Sequence, residues 1–204
     1  MTDNSTFSGS ALPSGSATNQ TWLSIVDDIS IAIGDTTHDD SVIARWINQA
    51  VRDYSQHFPR VKTQTITTTA DLNTYNLNAD FMNVLSVEYP TGQDPQEYLS
   101  RLTYTHPDFW GSDSFYDIVR RSDGADQDEL WISKDPAAGE SIDVIYHAHH
   151  EQIANVGAVS GNTTIPHNHI HLLTLYVQWQ NALYLANAEQ QSPTSNSSLL
   201  MAQL

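Results

Sequence analysis

"SVIARWINQAVRDYSQHFPRVKTQTITTT", residues 41–69, changes its period halfway along. Up to Phe58 the apolar residues Ile43, Trp46, Ile47, Ala50, Val51, Tyr54 and Phe58 recur at intervals of three and four, which places them on one side of an α-helix. Pro59 stops that helix, because proline has no N–H to donate and its ring disfavours helical backbone in the residue before it. From Val61 to Thr69 β-branched residues dominate and the period falls to two, as in a half-covered strand. Helix and strand therefore meet at one proline, and the flanking segments keep the same division.

N-terminal to this stretch, Trp22, Ile25, Val26, Ile29 and Ile33 mark a second amphipathic helix that ends at Gly34. Thr37 and Asp40 fit a capping box for the helix that follows, and the short link predicts an antiparallel hairpin of the two. Residues 1–18, "MTDNSTFSGSALPSGSAT", hold too little apolar surface to offset the entropy of ordering and read as a disordered arm. C-terminal to the stretch, "ADLN" supplies a turn after which Thr74 to Leu77 pairs back as a short hairpin. Further strands are predicted at Val84 to Tyr89, Phe115 to Arg121, Glu129 to Ser133 and Ser141 to His149, joined by "RSDGADQD" and "KDPAAGE". "THPDFW" reads as one helical turn capped by Thr105, with Pro107 in its first turn.

A last long helix runs from about Ile165 to Gln190, where Leu172, Tyr176, Trp179, Leu183 and Ala186 form a stripe widened by Leu173, Val177 and Tyr184. So apolar a helix must dock on something. The predicted class is α+β: a bundle of two N-terminal helices and the long C-terminal helix, with an antiparallel β region inserted at about 61–150. The predicted core of the bundle is Trp22, Ile43, Trp46, Ile47, Val51, Tyr54, Phe58, Leu173, Val177 and Leu183. The domain spans 19–190, and 191–204 is a flexible tail.

Composition narrows the chemistry. The 204 residues carry 24 acidic against 8 basic side chains, a formal net charge of −16, with 18 Asp, 6 Glu and only two lysines, Lys62 and Lys134. There is no basic patch to grip phosphates. The Asp-rich, Lys-poor balance suits solubility in concentrated salt, although an ordinary acidic protein shares it. With no cysteine there is no disulfide frame and no thiolate chemistry. No apolar run approaches the roughly 20 residues that span a bilayer, so no membrane association is expected.

Histidine is the one residue type that raises a metal question. "PHNHIHLL", residues 166–173, places His167, His169 and His171 at alternate positions, and "YHAHHE", residues 146–151, adds His147, His149 and His150. On a strand the first three would converge on one ion. On a helix opened by Pro166 only His167 and His171 share a face, so a site would need His147 or His149 from the preceding strand. No metal site is assigned; those four histidines form the alternative. The pairs Asp27–Asp28 and Asp39–Asp40 lie near helix ends as solvated acids, and "DGADQDE" lacks the spacing of an EF-hand. Without a phosphate-cradling glycine loop or a nucleophile elbow, neither an enzyme nor a cofactor is expected.

Three phrases carry a resemblance. "DDSVIARWINQAVRDYSQHFP" at 39–59, "YNLNADFMNVLSVEYP" at 75–90 and "LWISKDPAAGESIDVIYHAHH" at 130–150 resemble, in that order, the second helix, a strand phrase and the strand–turn–strand leading to the final helix of head–tail adaptor (connector) proteins of tailed viruses. The likeness covers roughly residues 22–190. It implies a self-associating ring of about twelve subunits at the virion neck, made in the host cytoplasm. The ring would sit between the portal protein and a stopper or tail-completion protein, around a channel that passes double-stranded DNA without binding it specifically. It also implies that the C-terminal tail anchors the ring in the portal. "QQSPTSNSS" offers reach, and Ser198, Leu199, Leu200, Met201 and Leu204 form the docking end. Trp110, Trp131 and Trp179 are surplus aromatics available to subunit contacts. The alternative is a tail-completion or other minor virion protein that forms no ring.

Overall fold

A computed structural model of the chain describes residues 20–34, 38–120, 127–154 and 161–191. The predicted arm at 1–18, the tail beyond Gln191, Thr37 and most of the "RSDGADQD" turn lie outside the described residues. Two compact units divide the chain, one comprising Met1–Ala44 and Ile153–Leu204, the other Arg45–Gln152.

In the first unit, α1 (Trp22–Ile33) is opened by Thr21, whose hydroxyl accepts from the Ser24 amide at 3.4 Å. Gly34 closes it at φ 64°, a left-handed conformation that glycine enters without the Cβ clash other residues suffer. Its neighbour is α3 (Ile170–Gln191). The Trp22 amide donates to Gly161 O at 3.1 Å and His167 Nδ1 meets Gln20 Oε1 at 3.0 Å, while further along Gln178 Nε2 donates to Ala32 O at 3.3 Å. Start therefore lies beside start, and the two helices run in the same direction. A 3-10 turn, His167–His169, precedes α3, so Pro166, extended at ψ 138°, stands one turn ahead of the helix rather than in its first turn.

Helix α2 (Asp40–His57) crosses the division between the units. Its cap is Asp39: Oδ1 accepts the Ser41 amide at 2.9 Å, which holds the Asp39 carboxyl below its usual range. Ile43, Trp46, Ile47, Val51 and Tyr54 are buried, as are Trp22, Leu173 and Val177. Phe58 is not; it is 52% exposed. It follows the last helical residue, where the chain turns into a strand, and its ring stacks on Tyr54, at 5.2 Å.

The second unit is built on seven strands: β1 (Arg60–Thr67), β2 (Thr74–Asn76), β3 (Phe81–Glu88), β4 (Ser100–Arg101), β5 (Phe115–Val119), β6 (Glu129–Ile132) and β7 (Ser141–Ala148). They form two sheets, ordered β1-β7-β3 and β2-β6-β5-β4, antiparallel throughout except β4 with β5. Strand β7 is the centre of the first sheet, and its alternation is complete: Ile142, Val144, Tyr146 and Ala148 are buried, their neighbours half-buried. These four join Tyr75, Leu130, Ile132, Tyr116 and Val87 from both sheets in one core. Full burial of each such aliphatic side chain contributes about 1.5–3 kcal/mol.

Strand pairing departs from expectation at β2. It pairs with β6, Tyr75 opposite Leu130, and not back onto β1, whose partner along all eight residues is β7. Eight residues of ladder satisfy more backbone groups than a three-residue hairpin, and Asp71, at φ 62°, turns the chain away to the other sheet. The short helical turn at "THPDFW" also starts late, at Phe109–Gly111, because fully buried Phe109 fixes where the chain folds inward.

Candidate interaction surface

Helix α3 is apolar nearly all round, and the structure separates its faces. Ile170, Leu173, Val177 and Asn181, spaced three, four and four, are buried. Asn181 Oδ1 lies 2.8 Å from His38 Nε2, and the His38 ring meets Tyr184 edge-on at 4.9 Å. Leu172, Leu175, Trp179 and Leu183, with the same spacing, are 40%, 56%, 53% and 43% exposed. Leu183, predicted in the core, thus belongs to the uncovered stripe, because at about 100° per residue it falls in line with Leu172 and not with Leu173. The stripe is about 16 Å long at 1.5 Å per residue, and no Asp, Glu, Lys or Arg occurs between Ile170 and Ala188. A continuous uncharged apolar strip of this kind marks a contact surface.

The histidines separate. His147 lies on the half-buried side of β7, and the His149 amide donates to Asp80 O at 2.8 Å. The His149 Nδ1 atom is buried without a partner; burial and then the nearby Arg52 push its pKa down. His150, buried, ties the end of β7 to α2: its amide donates to Ser55 Oγ at 3.0 Å and its Nε2 meets Phe58 O at 2.9 Å. His167 meets Gln20, and His171 is exposed. Among the described residues no group of three or more His, Cys, Asp or Glu stands together to hold a metal ion.

The acids act locally. Asp28 accepts from Gln20 Nε2 at 3.4 Å, and Asp27 is exposed. Asp80 holds two partners: Lys62 Nζ lies 2.7 Å from Oδ2, and the Tyr146 hydroxyl donates to Oδ1 at 3.0 Å. Burial raises its pKa, but the bonds from Lys62 and Tyr146 together outweigh burial and hold it below the usual range; Lys62 is raised in return by its bond to Asp80. Arg101 and Arg120 line a cavity of about 400 Å³ with Phe81, Ile118 and Asp128, yet Asp117 and Asp128 already face them at 3.8 and 3.7 Å.

Among the surplus tryptophans the structure brings Trp110 and Trp131 together, ring centroids 6.4 Å apart, with Tyr104 at 4.7 Å from Trp131. Trp179 belongs to the other unit. The sequence reading missed Tyr104, which sits in an irregular segment without periodicity to mark it.

The model of the SU10 adaptor protein family matches residues 20–203. The chain belongs to that family. It is accordingly a phage structural adaptor of the head–tail type and a component of the virion, which works by contacting other virion proteins. No curated protein matches the chain. For an SU10 adaptor, a bare apolar stripe on α3 is surface available for assembly. None of the helices described is long and apolar enough to cross a membrane.

Proposed function

We propose that this adaptor assembles as a ring of about twelve subunits at the virion neck, with the portal on one side and a stopper or tail-completion protein on the other. The carrying observation is the uncovered stripe Leu172, Leu175, Trp179 and Leu183, which a single chain leaves in water. A ring requires two different complementary patches per subunit, and this stripe supplies one. A bundle of α1, α2 and α3 belongs to the same proposal and is supported by the α1–α3 pairing. The tail residues Ser198, Leu199, Leu200, Met201 and Leu204 insert into the portal as apolar anchors on a polar spacer. The net charge of −16 favours a channel wall along which DNA slides, since carboxylates repel phosphates.

The test is the mass of purified adaptor alone and mixed with portal, by light scattering and native mass spectrometry. A closed oligomer or a stoichiometric portal complex is expected; a species that stays monomeric beside the portal would sink the reading.

A further inference from the structure

Strand β1 offers an open edge. The Thr68 amide donates to Glu140 O at 2.9 Å, and β1 pairs with β7 in unbroken register from Arg60 opposite Ala148 to Thr67 opposite Ser141. In an antiparallel ladder, hydrogen-bonded pairs alternate with non-bonded ones. Arg60, Lys62, Gln64 and Ile66 therefore bond β7, while Val61, Thr63, Thr65 and Thr67 turn their N–H and C=O groups away from the sheet. None of these outward backbone groups meets a partner among the described residues. The other edges are protected. Strand β3 shifts register against β7 twice, and on its far side the Leu99 amide donates to Val87 O at 2.9 Å and the Tyr89 amide to Glu97 O at 3.0 Å. Strands β2 and β4 are only three and two residues long. An eight-residue edge without bulge, proline or cover, about 27 Å long, is a template for one more strand.

Symmetry and charge select the occupant. Pairing of β1 with β1 of another copy would relate the two by a twofold axis, and a ring with the portal on one side and a stopper on the other has no such axis. The strand that fills the edge therefore has a different sequence. Residues 60–70 contain no Asp or Glu, although the chain carries a net charge of −16, and copies of an acidic protein approach most easily where carboxylates are absent. Residues 1–18 match this, with Asp3 as their one charged side chain. Within them "TDNSTFS", residues 2–8, holds neither glycine nor proline and places Thr2, Asn4, Thr6 and Ser8 at alternate positions. That spacing sets them beside the exposed row Val61, Thr63, Thr65 and Thr67, where Thr–Thr and Thr–Ser pairs hydrogen-bond across neighbouring strands. Residues 9–19 join this stretch to Gln20 and span up to about 36–40 Å, more than the roughly 30 Å of a small domain.

We infer that residues 2–8 of one copy add as a strand to the β1 edge of the next. The exchange rests on the ring reading: each copy gives one arm and takes one, so the same contact repeats around a polar ring. Arm and edge are then two different complementary surfaces, as such a ring requires, and they join copies independently of the stripe on α3.

The experiment measures amide hydrogen–deuterium exchange along β1 in the full chain, with the assembled mass recorded alongside. In the oligomer the amides of Val61, Thr63, Thr65 and Thr67 are expected to exchange at least about tenfold more slowly than in the dilute single chain. Deleting residues 2–8 is expected to abolish the slowing. Thr63→Pro, which takes away one outward N–H and leaves those that bond β7, is expected to do the same, with circular dichroism confirming the fold of both variants. Mixing the two variants pairs an intact edge with an intact arm from different copies, and is expected to restore slow exchange on the edge of the deleted chain. An oligomer of full mass whose β1 amides exchange as fast as those of the single chain overturns the arm exchange and leaves the ring reading standing. Slowing that survives the deletion would show another occupant, and slowing that ignores protein concentration would show the arm of the same copy; each overturns the exchange. A chain that stays monomeric at every concentration overturns the ring reading and the exchange with it.

Discussion

Replacing Trp179 by serine separates assembly from folding. Trp179 is 53% exposed in the single chain, so about half of a large aromatic surface, roughly 100 Å², is free to be covered by a neighbour. At about 25 cal/mol per Å² its burial contributes about 2.5 kcal/mol to each contact, and its loss weakens each contact some 50-fold or more. Folding of the single chain changes by about 0.5–1.5 kcal/mol, the worth of the edge-on contact of the ring with Tyr176 at 5.6 Å, since tryptophan and serine have similar helix propensities. Leu173→Ala is the control: that side chain is 1% exposed and its truncation costs about 2–5 kcal/mol of folding stability. Sedimentation velocity reads assembly, and urea denaturation reads folding. The expected pattern is that Trp179→Ser lowers the assembled mass with a small fall in midpoint, whereas Leu173→Ala lowers the midpoint further. If Trp179→Ser leaves assembly intact, or destabilises the monomer as much as Leu173→Ala, the stripe is not the contact surface.

Asp80→Asn removes the partner of Lys62. With the two side chains 28% and 35% exposed and water screening the pair, the expected loss is about 1 kcal/mol near neutral pH. Because Asp80 is held below the usual carboxylate range, its contribution is present above that range and disappears as pH falls through the lowered value. Urea curves of wild type and variant should therefore converge in acid; a constant gap would mean the effect is steric. His149 has a depressed pKa, so the unfolded chain binds its proton more readily and the histidine opposes folding increasingly as pH drops below about 6.5. His149→Leu should flatten the decline of melting temperature between pH 7 and 5, and an unchanged slope would count against the buried, unpartnered Nδ1 as its source. Deletion of Pro193 to Leu204 should abolish portal binding in a pull-down while leaving the circular dichroism spectrum unchanged; retained binding would assign the portal contact elsewhere.

Of the candidate surface, the sequence marked Trp110, Trp131 and Trp179 as surplus aromatics and α3 as a helix in need of a partner. It did not separate covered from bare residues on α3. Leu172 and Leu173, or Leu183 and Tyr184, are equally apolar in sequence, so no local pattern tells which neighbour faces α1. Joining Tyr104 to Trp131 was equally hidden, since 27 positions of chain separate them and the irregular segment carries no period that sets its path.

What the sequence determined alone is what local geometry decides. Pro59 ends a helix whatever surrounds it, and alternation in "SIDVIYHA" assigns Ile142, Val144, Tyr146 and Ala148 to one side, since successive side chains of a strand must point to opposite faces. What only the tertiary structure decided is pairing: β7 between β1 and β3, β2 beside β6, α1 running parallel to α3. Each of those choices is made by comparing distant segments for the same hydrogen bonds and the same core. That comparison depends on the total ladder satisfied and apolar area buried, quantities no short stretch of the chain contains.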